Sequence, residues 1–346
     1  MTHPQHIGAG AVAVIPCLNE REHIAELIAT LLADPEWVDP LVVVADGGST
    51  DGSREIVTQI AMSDPRVRLL NNSKRLQSAG MNLALRTFGA GYRWAVRVDA
   101  HAVYPLGYVS ALVRAAERAE ADSVVVSMVS RGTEPFQKGA AIAQNSRLGT
   151  GGSAHRLAGD AAFVEHGHHA LWDIEHFLAV GGYDETFSHN EDAEFDIRFR
   201  KNGGRIWLTR DVEIVYFPRS KPSALFRQYL SYGRGRARTL LRHRERPRVR
   251  QVLPLGVAPA LAILPLAVFW APAAAPALSW AAICLAYGAV LSVRGSGPAA
   301  LLAGPAAMIM HAGWSLGFWQ GILSHRSGGG PVVAKVSDSP VVANDR

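Results

Sequence analysis

Short apolar-rich runs that alternate with helical stretches constrain this chain more than any single motif does. Ala11 to Ile15, Leu41 to Ala45, Val67 to Leu70 and Trp94 to Val98 are strand-length, while Glu20 to Leu32, Ser53 to Ala61 and Ser78 to Phe88 repeat apolar residues at helical spacing. Strands separated by helices pair in parallel, carry helices on both faces and collect polar chemistry at their carboxyl ends. Asn19, Asp46 and Asp99 each lie just past such an end. The pattern runs on through a helix to about Ala119 and a strand from Ser123 to Met128, so an α/β fold with a mostly parallel sheet is expected.

At the fourth strand end, Asp99 and His101 are two residues apart and share one face of an extended backbone. Such a pair can close on a divalent cation; it can equally be a turn whose Asp caps the next helix. His166, His168 and His169 follow, and one of them can complete the coordination shell, although a strand-end turn accounts for them as well. The intervening Gly132 to Gly159 is rich in Gly and Ser with little periodicity and reads as a flexible lid. Its GTGGS lacks the Lys and helix of a phosphate-binding P-loop.

A second polar centre is HNEDAEFDIRFRKNGG, residues 189–204. Asn190 is placed to cap a helix ending before Gly203, with Glu191 and Asp192 in its first turn. Acidic residues there are favoured by the helix dipole whatever the function. The same dipole keeps a carboxylate ionised and able to accept a proton.

Charge separates the rest of the chain into zones. The formal charge of the 346 residues is +5, yet Arg227 to Arg250 alone carries nine Arg against one Glu, which leaves the remainder net acidic. Local basicity of this kind excludes a general nucleic-acid surface and suits an anionic membrane face. Val252–Trp270, Ala271–Ser292 and Gly297–Leu323 follow without a charged side chain, each about long enough to cross a hydrocarbon core of roughly 30 Å. Under the positive-inside rule the Arg block is cytoplasmic. Three crossings would put Arg294 inside and the tail outside; a re-entrant first segment would reverse the tail. Residues 324–346 are expected to be disordered. Cys17 and Cys284 stand in segments of different character, which argues against a disulfide or a Cys-based zinc site, and no secretory signal is expected.

In order, PCLNE (16–20), DGGSTD (46–51), DAH (99–101), GGYDE (181–185) and NED (190–192) resemble the motifs of family 2 inverting glycosyltransferases, and more closely the succinoglycan-biosynthesis group of exopolysaccharide glucosyltransferases, over about residues 10–245. The resemblance implies a nucleotide-diphospho-sugar transferase fold (GT-A, Rossmann-like, mixed sheet) with C-terminal transmembrane helices. It also implies that Pro16, Asn19 and Glu20 border the nucleotide, Asp46 accepts a hydrogen bond from the base, Asp99 and His101 hold Mg²⁺ or Mn²⁺, and Asp192 is the catalytic base. Gly47 stands where many relatives have a second aspartate, and His101 replaces the usual second aspartate of the metal triplet.

The expected organisation is an N-terminal tail (1–10), a catalytic domain (11–226), an Arg-rich juxtamembrane segment (227–251), about three transmembrane or re-entrant helices (252–323) and the tail. The implied activity is transfer of glucose from a UDP donor to a lipid-linked saccharide at the inner membrane, with Glu191, Arg234, Arg236 and Arg238 toward the acceptor or lipid. QYLSYGRG (228–235) lacks the Arg-Trp of processive relatives, which suits addition of one sugar per encounter. A nucleotidyltransferase would want a Gly-rich, basic loop after the first strand, and PCLNE is not one. A non-catalytic scaffold would not need Asp46, Asp99 and Asp192 together.

Overall fold

The computed structural model describes residues 10–153, 156, 159–187 and 189–326. The first nine residues and 327–346, hence most of both expected tails, lie outside the described residues. The chain forms two compact units, residues up to 127 with 160–214, and 128–159 with 215–326.

In the first unit, β1 (Ala11–Cys17), α1 (Ile24–Leu32), β2 (Leu41–Asp46), α2 (Ser53–Ser63), β3 (Val67–Asn71), α3 (Gln77–Phe88), β4 (Trp94–Arg97), α4 (Tyr108–Ala119) and β5 (Ser123–Ser130) follow in order. β1 pairs in parallel with β2 and β4, and β2 with β3. β1 is almost wholly buried because it is central, which is why its apolar run is continuous. Past β5 the second unit contributes α5 (Pro135–Gln144) and α6 (Arg147–Thr150), and the sheet resumes with β6 (Ala162–Val164) and β7 (His168–Asp173). α7 (Ile174–Ala179), α8 (Glu191–Lys201) and β8 (Ile206–Tyr216) complete it.

The strand order is β3-β2-β1-β4-β7-β5-β8-β6. β7 is antiparallel to both β4 and β5, and β6 to β8. The sheet is therefore mixed, parallel in one half only, because β7 returns from a distant segment and inserts between β4 and β5. That insertion carries His168 to the end of β4. Trp172, Phe177, Tyr183, Phe195 and Phe199 pack ring against ring, with Tyr183 and Phe195 centroids 5.2 Å apart, and seat α8 on β7.

The second unit holds α5, α6, α9 (Pro222–His243), α10 (Val249–Leu255), α11 (Val257–Ile263), α12 (Ala275–Leu291) and α13 (Ala303–Arg326). The expected flexible lid is instead largely helical. Ala140 and Ala143 of α5 pack with Leu225, Ala303, Ala306, Ala307 and Met310, partners too distant in sequence for local periodicity to reveal. Three helices, Gln251–Val268, Ala271–Ser296 and Pro298–His325, are long and apolar enough to cross a membrane. The first is broken into α10, α11 and a 3₁₀ stretch, with prolines at 254, 259 and 265. Both cysteines are free and buried.

Candidate active site

The loops after β1 and β2 are stitched to one another. Asn19, at φ 57°, donates its backbone N–H to Ser49 Oγ (2.9 Å), and its Oδ1 accepts from Thr50 N–H (2.8 Å). Glu20 N–H donates to Ser53 Oγ (2.8 Å), and Gly47 N–H to the Cys17 carbonyl (2.8 Å). Asp46 is 1% exposed; its carboxylate accepts from Gly48 and Ser49 N–H and pairs with Arg54 Nη1 at 3.0 Å. Arg75 lies over the same loop, its Nε donating to Gly47 O (3.0 Å). Burial first, then the Asp46 charge, pushes the Cys17 thiol up to about 12, so no thiolate chemistry arises there.

At the end of β4, Arg97 and Asp99 share a face two residues apart, and Arg97 is 6% exposed. Its Nε donates to Asp99 Oδ1 (3.0 Å) and its Nη1 to Asp192 Oδ1 (2.9 Å), with Glu191 Oε1 3.8 Å from the same nitrogen. One buried guanidinium thus joins the strand-end carboxylate to the first turn of α8. Tyr183 OH donates to Asp192 Oδ1 (2.6 Å). Tyr183 is set by Asn82, whose Oδ1 accepts from Tyr183 N–H (2.9 Å) and whose Nδ2 donates to Tyr183 O (2.8 Å). This hold requires Gly182, at φ +67°, where a Cβ would strike Asn82. Asn190, at φ 61°, makes no side-chain cap bond, contrary to the expected cap, because its left-handed backbone turns it away from the geometry of an N-cap.

Asp99 also accepts from Gln77 Nε2 at Oδ1 (2.8 Å), while His168 Nε2 stands 3.6 Å from Oδ2. His101 Nδ1 faces Glu20 Oε1 at 3.1 Å, and His166 pairs instead with Asp196 at 2.5 Å. Of the histidines weighed in the 166–169 run, His168 is therefore the one at Asp99; the His169 side chain lies outside the described residues. Among the described residues no three His, Cys, Asp or Glu side chains form a ready cation cage. Burial would raise the Asp99 carboxyl, but Arg97, then His168 and His101, outweigh it and hold it well below the usual range. Burial would lower the Arg97 guanidinium, yet the surrounding Asp99 and Asp192 charges raise it further.

Glu191 is turned inward, 8% exposed. Burial, then the neighbouring Asp192 charge, pushes its carboxyl up to about 7 against the pull of Arg97. A folded-state value above the ordinary 4.5 favours the fold fully below about pH 4.5, and that contribution is lost as pH rises through about 7. Urea unfolding of Glu191→Gln should accordingly lack the component of stability that wild type loses between pH 4.5 and 7; identical pH profiles for the two proteins would contradict it. Pro16 lies in β1 beside this loop cluster, whereas Arg234, Arg236 and Arg238 belong to α9 in the other unit. Sequence reasoning missed Arg97, Tyr183, Gln77 and Asn82. An arginine two residues before an acidic strand end was the available signal for the first.

Residues 12–174 match the family described as glycosyl transferase family 2. The chain is 50% identical over 327 residues to the succinoglycan biosynthesis protein ExoA of Rhizobium meliloti (strain 1021), covering 94% of this chain and 99% of that one. Among solved structures, the mannosyltransferase PcManGT of Pyrobaculum calidifontis, in complex with GDP-Man and Mn²⁺, matches at TM-score 0.54 and 21% identity over 91% of this chain and 89% of that one. The mixed sheet is thus shared with a GT-A glycosyltransferase.

Proposed function

The chain belongs to glycosyl transferase family 2, and from that premise we propose that it moves glucose from UDP-glucose to a lipid-linked saccharide, with inversion, in the assembly of a succinoglycan-type exopolysaccharide. The observation that carries this reading is the Arg97 guanidinium, which touches Asp99 through Nε and Asp192 through Nη1. A donor diphosphate beside Asp99 then has its sugar within reach of Asp192. The stitched loops of Asn19, Glu20 and Asp46 form the nucleotide rim, and Pro16 borders it. The exposed Arg75 adds positive charge over Gly47 and Gly48.

The donor set suits a divalent cation shared with a diphosphate. Asp99 Oδ2 and His168 Nε2 face one another at 3.6 Å, and a Glu20 carboxylate holding Nδ1 of His101 orients that ring so that Nε2 would ligate. Few protein ligands are needed when phosphates supply the rest, and mixed carboxylate and imidazole donors suit Mn²⁺ as well as Mg²⁺. The cation acts as a Lewis acid on the departing diphosphate when bound. Asp192 accepts the proton of the attacking acceptor hydroxyl, its carboxylate set in place by Arg97 and Tyr183 at Oδ1. A single displacement by that hydroxyl turns an α-linked donor into a β-linked product.

The apolar C-terminal segments attach the enzyme to the cytoplasmic membrane, with catalysis in the cytoplasm, and the Arg-rich stretch attracts the anionic linkage of an undecaprenyl-type diphosphate acceptor. Arg234, Arg236 and Arg238 are assigned to that attraction; Glu191, buried against Arg97, shapes the base rather than meeting lipid.

Membranes containing the protein should release UDP from UDP-glucose when lipid-linked acceptor and Mn²⁺ are present, and chelator should stop it. Release from a different sugar nucleotide alone would move the donor assignment, and full activity in chelator would remove the cation. Asp99→Asn and His168→Ala should each weaken Mn²⁺ binding read by electron paramagnetic resonance in the presence of UDP; unchanged binding in both would place the cation elsewhere.

A further inference from the structure

The three apolar helices differ in what covers them. In the windows that qualify as spans, 11% and 17% of the residues of the first two are buried, against 44% for Pro298–His325. Much of the cover on the third comes from α5 and the Arg-rich α9, beside the apolar α10, α11 and α12. Gly139 of α5 abuts Leu302, His311 Nε2 meets the Leu148 carbonyl at 2.8 Å, and Gly313, Gly317 and Gly321 of α13 face Phe226, Leu230 and Arg234 with Ala237 of α9. The rising order of these last pairs makes α9 and α13 parallel neighbours. Arg234 reinforces the contact, donating from Nε to Gln320 Oε1 at 2.9 Å.

α5 and α9 together therefore line one side of α13 from its start to Gly321. Their outward residues include Lys138 beside the start of α13 and Arg227 beside its middle, both exposed, and Arg234 adds a charge near its end. Were α13 to cross the bilayer, these charges would be carried into hydrocarbon along its length, where charged side chains occur only facing a bundle interior or a watery cavity. α10, α11 and α12 cover much of the rest of α13, with Trp319 Nε1 donating to the Leu255 carbonyl at 2.9 Å, and leave a short apolar patch open near its C-terminal end. Leu316, Trp319 and Leu323 recur there at helical spacing, Leu316 and Trp319 each 39% and Leu323 59% exposed.

Resting on the reading that this unit binds a membrane, we propose that α13 does not cross the bilayer but lies along its surface, with the patch of Leu316, Trp319 and Leu323 toward the lipid and the arginines of α9 at headgroup level. Both ends of α13 then share a side with the Arg block, and so do Arg294 and the chain that leaves Arg326. Length and hydropathy alone give the opposite answer, because they see neither the helices packed on one side nor the parallel pairing with α9.

The test uses full-length protein in inside-out and right-side-out vesicles, with single cysteines introduced at Ser296, Ser324 and Arg246. Cys17 and Cys284 are buried, and the wild-type chain is the unlabelled control. An impermeant maleimide should label all three positions from one side only; labelling of Ser296→Cys and Ser324→Cys from opposite sides would overturn the proposal. Nitroxides at Leu316→Cys, Trp319→Cys and Leu323→Cys should report equal shallow depths, whereas a spanning helix would separate the outer two by up to about 10 Å. Equal depths support the proposal and unequal depths defeat it, with membrane binding intact in either case. A chain that leaves the vesicles altogether would defeat the membrane reading itself, and the proposal with it.

Discussion

Asp192→Asn should bind UDP and Mn²⁺ nearly as wild type does, yet turn over about 10²- to 10⁴-fold more slowly, the range expected for loss of a general base. The amide keeps the shape of the side chain and can still accept from Arg97 and Tyr183 through its oxygen, so Tyr183 and the first turn of α8 stay in place. What it lacks is a carboxylate able to take a proton. Parallel titration calorimetry and initial-rate measurements check this. Normal turnover would remove Asp192 from the mechanism, and a comparable loss of UDP binding would show that it belongs to the donor pocket.

Arg97→Met is expected to be more damaging still, because the loss reaches folding as well as chemistry. Three carboxylates, those of Asp99, Asp192 and Glu191, lie around one cation that is 6% exposed. Removing one partner of a buried ion pair while leaving the others charged costs about 3–5 kcal/mol. Urea unfolding at neutral pH should show a loss of that order, shrinking toward acid pH as the carboxylates protonate. Arg97→Lys separates geometry from charge, since one ammonium cannot make the two directed bonds that the Nε and Nη1 groups make. It should recover much of the stability and little of the turnover. Full recovery of both by lysine would mean that charge alone matters at this position.

The sequence made the parallel half of the sheet readable because each buried strand there is a continuous apolar run followed by a polar turn. Asp46 and Asp99 could be singled out for the same reason, being carboxylates where an apolar run stops, whereas Asp192, in the first turn of a helix, stood out only through the NED motif. The antiparallel half was not readable. β7 is short and carries two histidines at its start, and its place between β4 and β5 follows from long-range pairing alone. The selection of His168 over His166 was hidden with it. Arg97 was overlooked because its second partner, Asp192, is 95 residues away, and an arginine within a strand reads as an ordinary outward-facing residue. α5 was mistaken for a lid because its small residues acquire a purpose only against α13. In both cases the partner, not the local pattern, sets the role.

In the proposed reaction Asp99 and Asp192, bridged by Arg97, form one site in which an acceptor hydroxyl displaces a nucleoside diphosphate from the opposite face of the sugar. The most direct measurement is the anomeric configuration of the first product made from an α-linked sugar nucleotide and a lipid-linked acceptor, read from the one-bond carbon–proton coupling by nuclear magnetic resonance. A β linkage is the predicted result, and an α linkage would contradict the account.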